Sequence, residues 1–142
     1  MKVHKIKQFS VFMPNKPGAL TRLAALFAEK GINILGIASE VRDDSGLVRI
    51  ALGNDTEVSA ILSSAGFSSV ESPILSVEVD DKPGELLRVT AALAEGKVNI
   101  TTVYGTSVEG GKAARILIAA QNIDKALAIL EQLAANPQSA PR

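Results

Sequence analysis

Cysteine is absent from the 142 residues, which excludes a disulfide framework, a thiolate nucleophile and a cysteine-bound metal. Charge excess is absent as well, because Lys and Arg together number 15 and so do Asp and Glu. Phosphate-backbone binding requires a basic face, so nucleic acid is not expected as a partner. No apolar run reaches the roughly 18 residues that a spanning helix needs. The opening Met1-Lys2-Val3-His4-Lys5 alternates polar and apolar residues, unlike a signal-peptide core. These absences predict a cytoplasmic protein without membrane contact. The single histidine, His4, lies in a charged stretch, and neither a nucleophile–base pair nor a Walker-type phosphate loop is present. The expectation is therefore a non-enzyme with no cofactor and no metal site.

What the sequence does contain is a 46% hydrophobic share, enough for a packed core, and an internal repeat. Asn15-Lys16-Pro17-Gly18-Ala19-Leu20 returns as Asp81-Lys82-Pro83-Gly84-Glu85-Leu86, an offset of 66 residues. The same offset pairs Arg22 with Arg88, Ala28-Glu29 with Ala94-Glu95, Asn33-Ile34 with Asn99-Ile100, Arg49-Ile50 with Arg115-Ile116, and Ala60 with Ala126. A register held without gaps over so many positions marks a tandem duplication.

Each copy carries the same succession of patterns. Phe9–Met13 and Leu75–Val79 read as strands. Pro17 and Pro83 fit the first turn of a following helix, whose apolar stripe is Leu20, Leu23 and Phe27, or Leu86, Val89 and Leu93. Gly31 is a C-terminal cap for the first helix. Strands are expected over Ile32–Val41, Leu47–Leu52, Val98–Val108 and Ala113–Ile118, with turns at Asp43–Gly46 and Glu109–Lys112. Second helices are expected over Glu57–Ala65 and Ile123–Leu133, and a closing strand over Phe67–Ser72 in the first copy alone. The fold class is thus α+β: two ferredoxin-like βαββαβ modules, each an antiparallel sheet with its helices on one face. The expected division is 1–72, 73–136 with its last strand missing, and a tail at 137–142. That missing strand leaves an edge for the N-terminal residues, another chain or the linker strand to cover.

The strand–loop–helix junction carries the chemistry. Glycine lets another molecule approach the backbone, and a helix N-terminus offers unsatisfied amide hydrogens and a partly positive dipole end. Together these suit a carboxylate, and the Asn15 amide can read polar groups of an amino acid. Equally, Pro-Gly can simply mark the turn while Asn15 caps the helix.

The stretch from Phe9 through Pro17-Gly18-Ala19-Leu20 to Gly31-Ile32-Asn33-Ile34 resembles an ACT domain. Leu75 through Pro83-Gly84-Glu85-Leu86 to Val98-Asn99-Ile100 resembles another. The resemblance implies a regulatory protein that binds a free amino acid at an interface between modules, and a homodimer. It implies ligand contacts at Met13, Asn15, Lys16, Pro17, Gly18, Ala19, Leu20, Asn33 and Ile34. In the second copy it implies them at Asp81, Pro83, Gly84, Glu85, Leu86, Asn99 and Ile100. Serine-binding members often carry a histidine where this chain has Met13 and Val79. Asp80, Asp81 and Glu85 make the second loop acidic, so the first loop is expected to be the better carboxylate site, completed from the neighbouring copy by Asn99; alternatively the second copy is a structural partner only.

Tyr104 is either a pocket residue or a packing residue, and Arg49 and Arg115 are expected to point away from the helices. RNA-binding modules share this topology, but they stack bases on strand aromatics, which Val48–Leu52 and Ala114–Ile118 lack. The remaining alternative is a protein-interaction role. The first copy is also similar to the opening of acetolactate synthase regulatory subunits, which implies binding to an amino-acid biosynthetic enzyme.

Overall fold

The computed structural model describes residues 1–53 and 57–136. Its elements are β1 (Lys2–Pro14), α1 (Ala19–Glu29), β2 (Gly36–Arg42), β3 (Ser45–Leu52), α2 (Val58–Ser64), β4 (Ser68–Asp80), α3 (Glu85–Glu95), β5 (Ile100–Ser107), β6 (Ala113–Ala120) and α4 (Ile123–Ala135). Contacts divide the chain into two modules. The first is Ile6–Ser72, and the second joins Met1–Lys5 to the chain from Pro73 onward. The expected tail at 137–142 lies outside the described residues.

In the first module the strands are ordered β2-β3-β1-β4, and β3 runs antiparallel to both β1 and β2. Alternation puts Phe9 and Val11 on the face of their β3 partners Ile50 and Val48. All four join one buried cluster with Leu23 and Phe27 of α1 and Val58 and Leu62 of α2. A single cluster that takes residues from both helices places them on one face of the sheet. The helix stripe is shorter than its spacing predicts, because Leu20 is 45% exposed while Leu23 and Phe27 are buried. Each of those two buried side chains contributes roughly 1.5–3 kcal/mol.

The second module repeats the plan with the order β1-β4-β6-β5. Leu75, Val77 and Val79 of β4 cluster with Val89 and Leu93 of α3, Ile116 and Ile118 of β6, and Leu130 and Leu133 of α4. Leu86, the counterpart of Leu20, is 53% exposed. Among the described residues no strand follows α4. The place beside β4 is taken by the start of β1, where Val3 and the preceding Met1 pack against the second cluster. Lys5 adds an ion pair to Asp124 at 2.9 Å. Of the three candidates for the open edge, the chain's own N-terminus supplies the cover in this structure.

The strands expected over Phe67–Ser72 and Leu75–Val79 form one strand, β4, which runs through Pro73. Proline has no N–H to give to a ladder, and the division between modules falls at this residue. The second strands are shorter than expected at their starts: β2 begins at Gly36 and β5 at Ile100, so Asn33 and Asn99 precede them.

Candidate functional site

Pro17 and Pro83 sit one step earlier than a helix's first turn. Gly18 has φ 89° and ψ −11°, and the Ala19 N–H donates to the Lys16 carbonyl at 3.3 Å. Proline followed by a left-handed glycine is the signature of a type II turn. Gly84 matches it with φ 94° and ψ −13°. A Cβ built on either glycine meets nothing within 4 Å, so the loop backbone is open on that side. Neither α1 nor α3 has a side-chain cap bond at its N-terminus. The first turn of each helix therefore has no capping side chain for its amides.

Asn15 has a structural partner. Its backbone N–H donates to the Asp44 carbonyl at 3.0 Å, and its side-chain amide donates to the Asp43 carbonyl at 3.3 Å. It thus fastens the loop to the β2–β3 turn rather than capping α1. In the second module the Asp81 N–H donates to the Lys112 carbonyl at 3.1 Å. Asn33-Ile34 lie at the far end of the first module, where the Leu35 N–H donates to the Ala51 carbonyl. The intervening length of β3 separates them from Asn15 by about 20 Å at 3.3 Å per residue. Asn99 likewise sits by Gln121, whose N–H it accepts at 3.1 Å, the length of β6 away from Asp81. Neither module brings its loop and its second-strand asparagine together by itself.

Each loop borders a cavity. In the first module it is about 490 Å³ and touches Met13, Lys16, Gly18, Ala19, Arg22 and Phe67. In the second it is about 450 Å³ and lies between Asp81, Lys82, Glu85 and Leu86 on one side and Val103 and Tyr104 of β5 on the other. Both volumes fall in the range of small-molecule pockets. A cavity of about 510 Å³ between α3 and α4, by Ala92, Ile129 and Leu133, borders neither loop and belongs to helix packing.

The charges at the two openings differ. Glu85 opens α3, its side chain only 11% exposed, with the Arg88 guanidinium at 3.3 Å and the Lys82 ammonium at 3.6 Å. A carboxylate thus already occupies the positive end of α3. At the matching place α1 has Ala19 and no acid in its first turn. Arg22 instead lies 4.2 Å over the Phe67 ring and donates to the Ala65 carbonyl at 3.5 Å. Arg22 and Phe67 were not candidates from the sequence. For Arg22 the signal that could have found it is the mismatch of Ala19 with Glu85 inside a repeat that keeps both cations. For Phe67 the repeat gives none, because the strand it precedes has no counterpart after α4 among the described residues.

Arg49 and Arg115 behave as strand alternation predicts. Each lies between core residues of its strand and meets a carboxylate of the same module: Arg49 with Glu40 at 3.6 Å, Arg115 with Glu78 at 3.2 Å. Among the described residues no group of His, Asp and Glu could hold a metal ion, and no helix is long and apolar enough to cross a membrane.

Two modules of this topology, each with a Pro-Gly loop ahead of its first helix, define the class, and a family model confirms it. The chain belongs to the ACT domain pair family, whose model matches residues 4–135. Comparison with curated proteins finds no match. Among solved structures, a protein from Bacteroides thetaiotaomicron superposes with TM-score 0.83 at 23% identity, covering 93% of this chain and 90% of that one. The ligand-free regulatory subunit of aspartate kinase from Thermus thermophilus gives 0.66 at 18%, covering 92% and 94%. The corresponding subunit from Thermus flavus gives 0.63 at 19%, again over 92% and 94%. At these identities the likeness is one of fold.

Proposed function

We propose that this chain is a regulatory protein that binds a free amino acid at its strand–helix loops and performs no chemistry of its own. The observation that carries this reading is the loop cavity. In the first copy the type II turn brings Gly18 and Ala19, the start of a helix without a side-chain cap, to the lining of a cavity of small-molecule size, and in the second the loop residues Asp81 and Lys82 line one of like size. Backbone donors and a helix end recognise a carboxylate without any catalytic group.

The second-strand residues Asn33-Ile34 and Asn99-Ile100 join such a site only when a second module presents them to a loop. Ligand binding would then favour one arrangement of modules over another, and that difference in affinity is what regulation requires. Homodimerisation fits the same reading, since β2 and β5 are the end strands of their modules. A sedimentation measurement showing a monomer with and without ligand would remove that part.

The test is a thermal-shift screen of the full chain against the twenty amino acids. A ligand at 100 times its dissociation constant adds about 2.7 kcal/mol of stability. The expected result is one clear hit, weakened in Asn15→Ala. No shift with any amino acid, together with stoichiometric recovery of a biosynthetic enzyme, would replace this reading with that of an enzyme-binding regulatory subunit.

A further inference from the structure

The second copy shows what its loop cations hold. Glu85 sits between Lys82 and Arg88, with its carboxylate oxygens 3.6 Å and 3.3 Å from them. Shifted by the repeat offset, the cations become Lys16 and Arg22, while the carboxylate becomes Ala19. Lys16 and Arg22 both line the cavity of about 490 Å³ in the first module, and no Asp or Glu lines it. Both copies have the cationic pair, and only the second has the acid between them.

We infer that the first loop cavity binds a small carboxylate from solution in the place that the Glu85 side chain fills in the second copy, with Lys16 and Arg22 as its partners. This deepens the proposed function and rests on its reading of the loop, and it adds two specific side chains and a net charge for the ligand group.

The contacts of Arg22 leave it equipped for this. Stacking on Phe67 engages the face of the guanidinium and consumes no N–H, and one nitrogen donates to the Ala65 carbonyl. A guanidinium carries five N–H donors in a planar fork, so its remaining edge can grip a carboxylate with charge-assisted hydrogen bonds. The stack also fixes the plane of that fork. In the second copy, among the described residues, no aromatic ring lies over Arg88, and there Glu85 does the holding of it. The contrary view is that Phe67 merely substitutes for the lost acid as a resting place for Arg22, and the experiment separates the two.

Backbone-amide NMR spectra of the full chain are recorded during titration with sodium propionate, which matches the end of a glutamate side chain. Propionamide, its neutral isostere, and sodium chloride serve as controls. The expected result is saturable movement of the amides of residues 18–22 with propionate only, in the millimolar range. Arg22→Gln should weaken it about tenfold. Ala19→Glu should abolish it by supplying the carboxylate internally, in a sequence context that the second copy shows to fold. Movement of equal size with propionamide or chloride, or unchanged binding in both variants, would overturn the inference. The two readings fail separately. An amino acid that binds the loop with the same affinity in Ala19→Glu and Arg22→Gln sinks this one and leaves the proposed function standing. Propionate binding that Ala19→Glu blocks, with no amino acid bound, does the reverse.

Discussion

The two copies share their order of strands and helices, with the ladders of the second shifted by two residues (Val11 faces Val48, but Val77 faces Ile116), yet each settles its loop charges in a different way. In the second, Glu85 pairs with both Lys82 and Arg88 and lies at the positive end of α3. In the first, Ala19 leaves α1 without an acid, and Arg22 leans on Phe67. The cores differ in parallel: Phe9 and Phe27 stand where the second copy has Leu75 and Leu93. All four are buried. Duplication preserved what builds the module, namely the turn, the helix stripe and the strand alternation. Among the positions that differ are ones that a ligand or a ring packing would feel, Ala19 against Glu85 and Phe27 against Leu93. One copy has closed its own charge pair, and the other has left it open.

The strongest way to break the symmetry is to remove Met1–Lys5. These residues belong to the second module, where they lie beside β4 and help cover its core. Their deletion should leave the first module's amides protected. Exchange of the β4 amides from residue 74 onward should rise about tenfold or more, as an opened edge strand loses its partner. Equal loss of protection in both modules would contradict the division.

Truncation of the cores tests the exchange of phenylalanine for leucine. Phe27→Ala should cost about 4 kcal/mol and Leu93→Ala about 3 kcal/mol, each by loss of burial and creation of a cavity. Denaturant unfolding measures both. If Leu93→Ala costs clearly more than Phe27→Ala, the aromatic core is not the better filled of the two.

The helix ends give the smallest contrast. Gly31 follows α1 with φ 68°, and the amides of Gly31 and Ile32 donate to Ala28 and Phe27. That is a Schellman closure. After α3 the same bonds form with Lys97 at φ 58°, a conformation that costs a residue with a Cβ about 1 kcal/mol or more. Lys97→Gly should therefore stabilise the second module by about 1 kcal/mol, read as a raised denaturation midpoint.

Much of this fold could be read from the sequence because a repeat testifies twice. A pattern ambiguous in one copy, such as the strand before Pro17, is settled by its echo before Pro83. What escaped was long-range. Residues 1–5 alternate as an edge strand does, but nothing local says which module they complete, since their neighbours in β4 lie some seventy positions away. The continuity of β4 through Pro73 was hidden for a related reason: proline reads as punctuation where only one backbone bond is lost. In the site, Gly18 and Gly84 were legible because only glycine fits the left-handed corner at no cost. Asn15 reads in the sequence as a helix cap or a ligand contact; it makes no cap bond to α1, and one N–H of its side chain goes to the Asp43 carbonyl, a contact set by where a hairpin tip arrives. Arg22 was passed over because it matches Arg88. Its meaning lies in the neighbour that does not match.

The most direct test exchanges the two neighbours, as the double variant Ala19→Glu with Glu85→Ala. Titrated with sodium propionate and followed by backbone-amide NMR, the wild-type chain should respond at residues 18–22. The double variant should respond at residues 84–88 instead, because the open cation pair has moved to the second copy. A response that stays at 18–22 in the double variant would contradict the account, for it would show that the open loop of the first copy owes nothing to the acid it lacks.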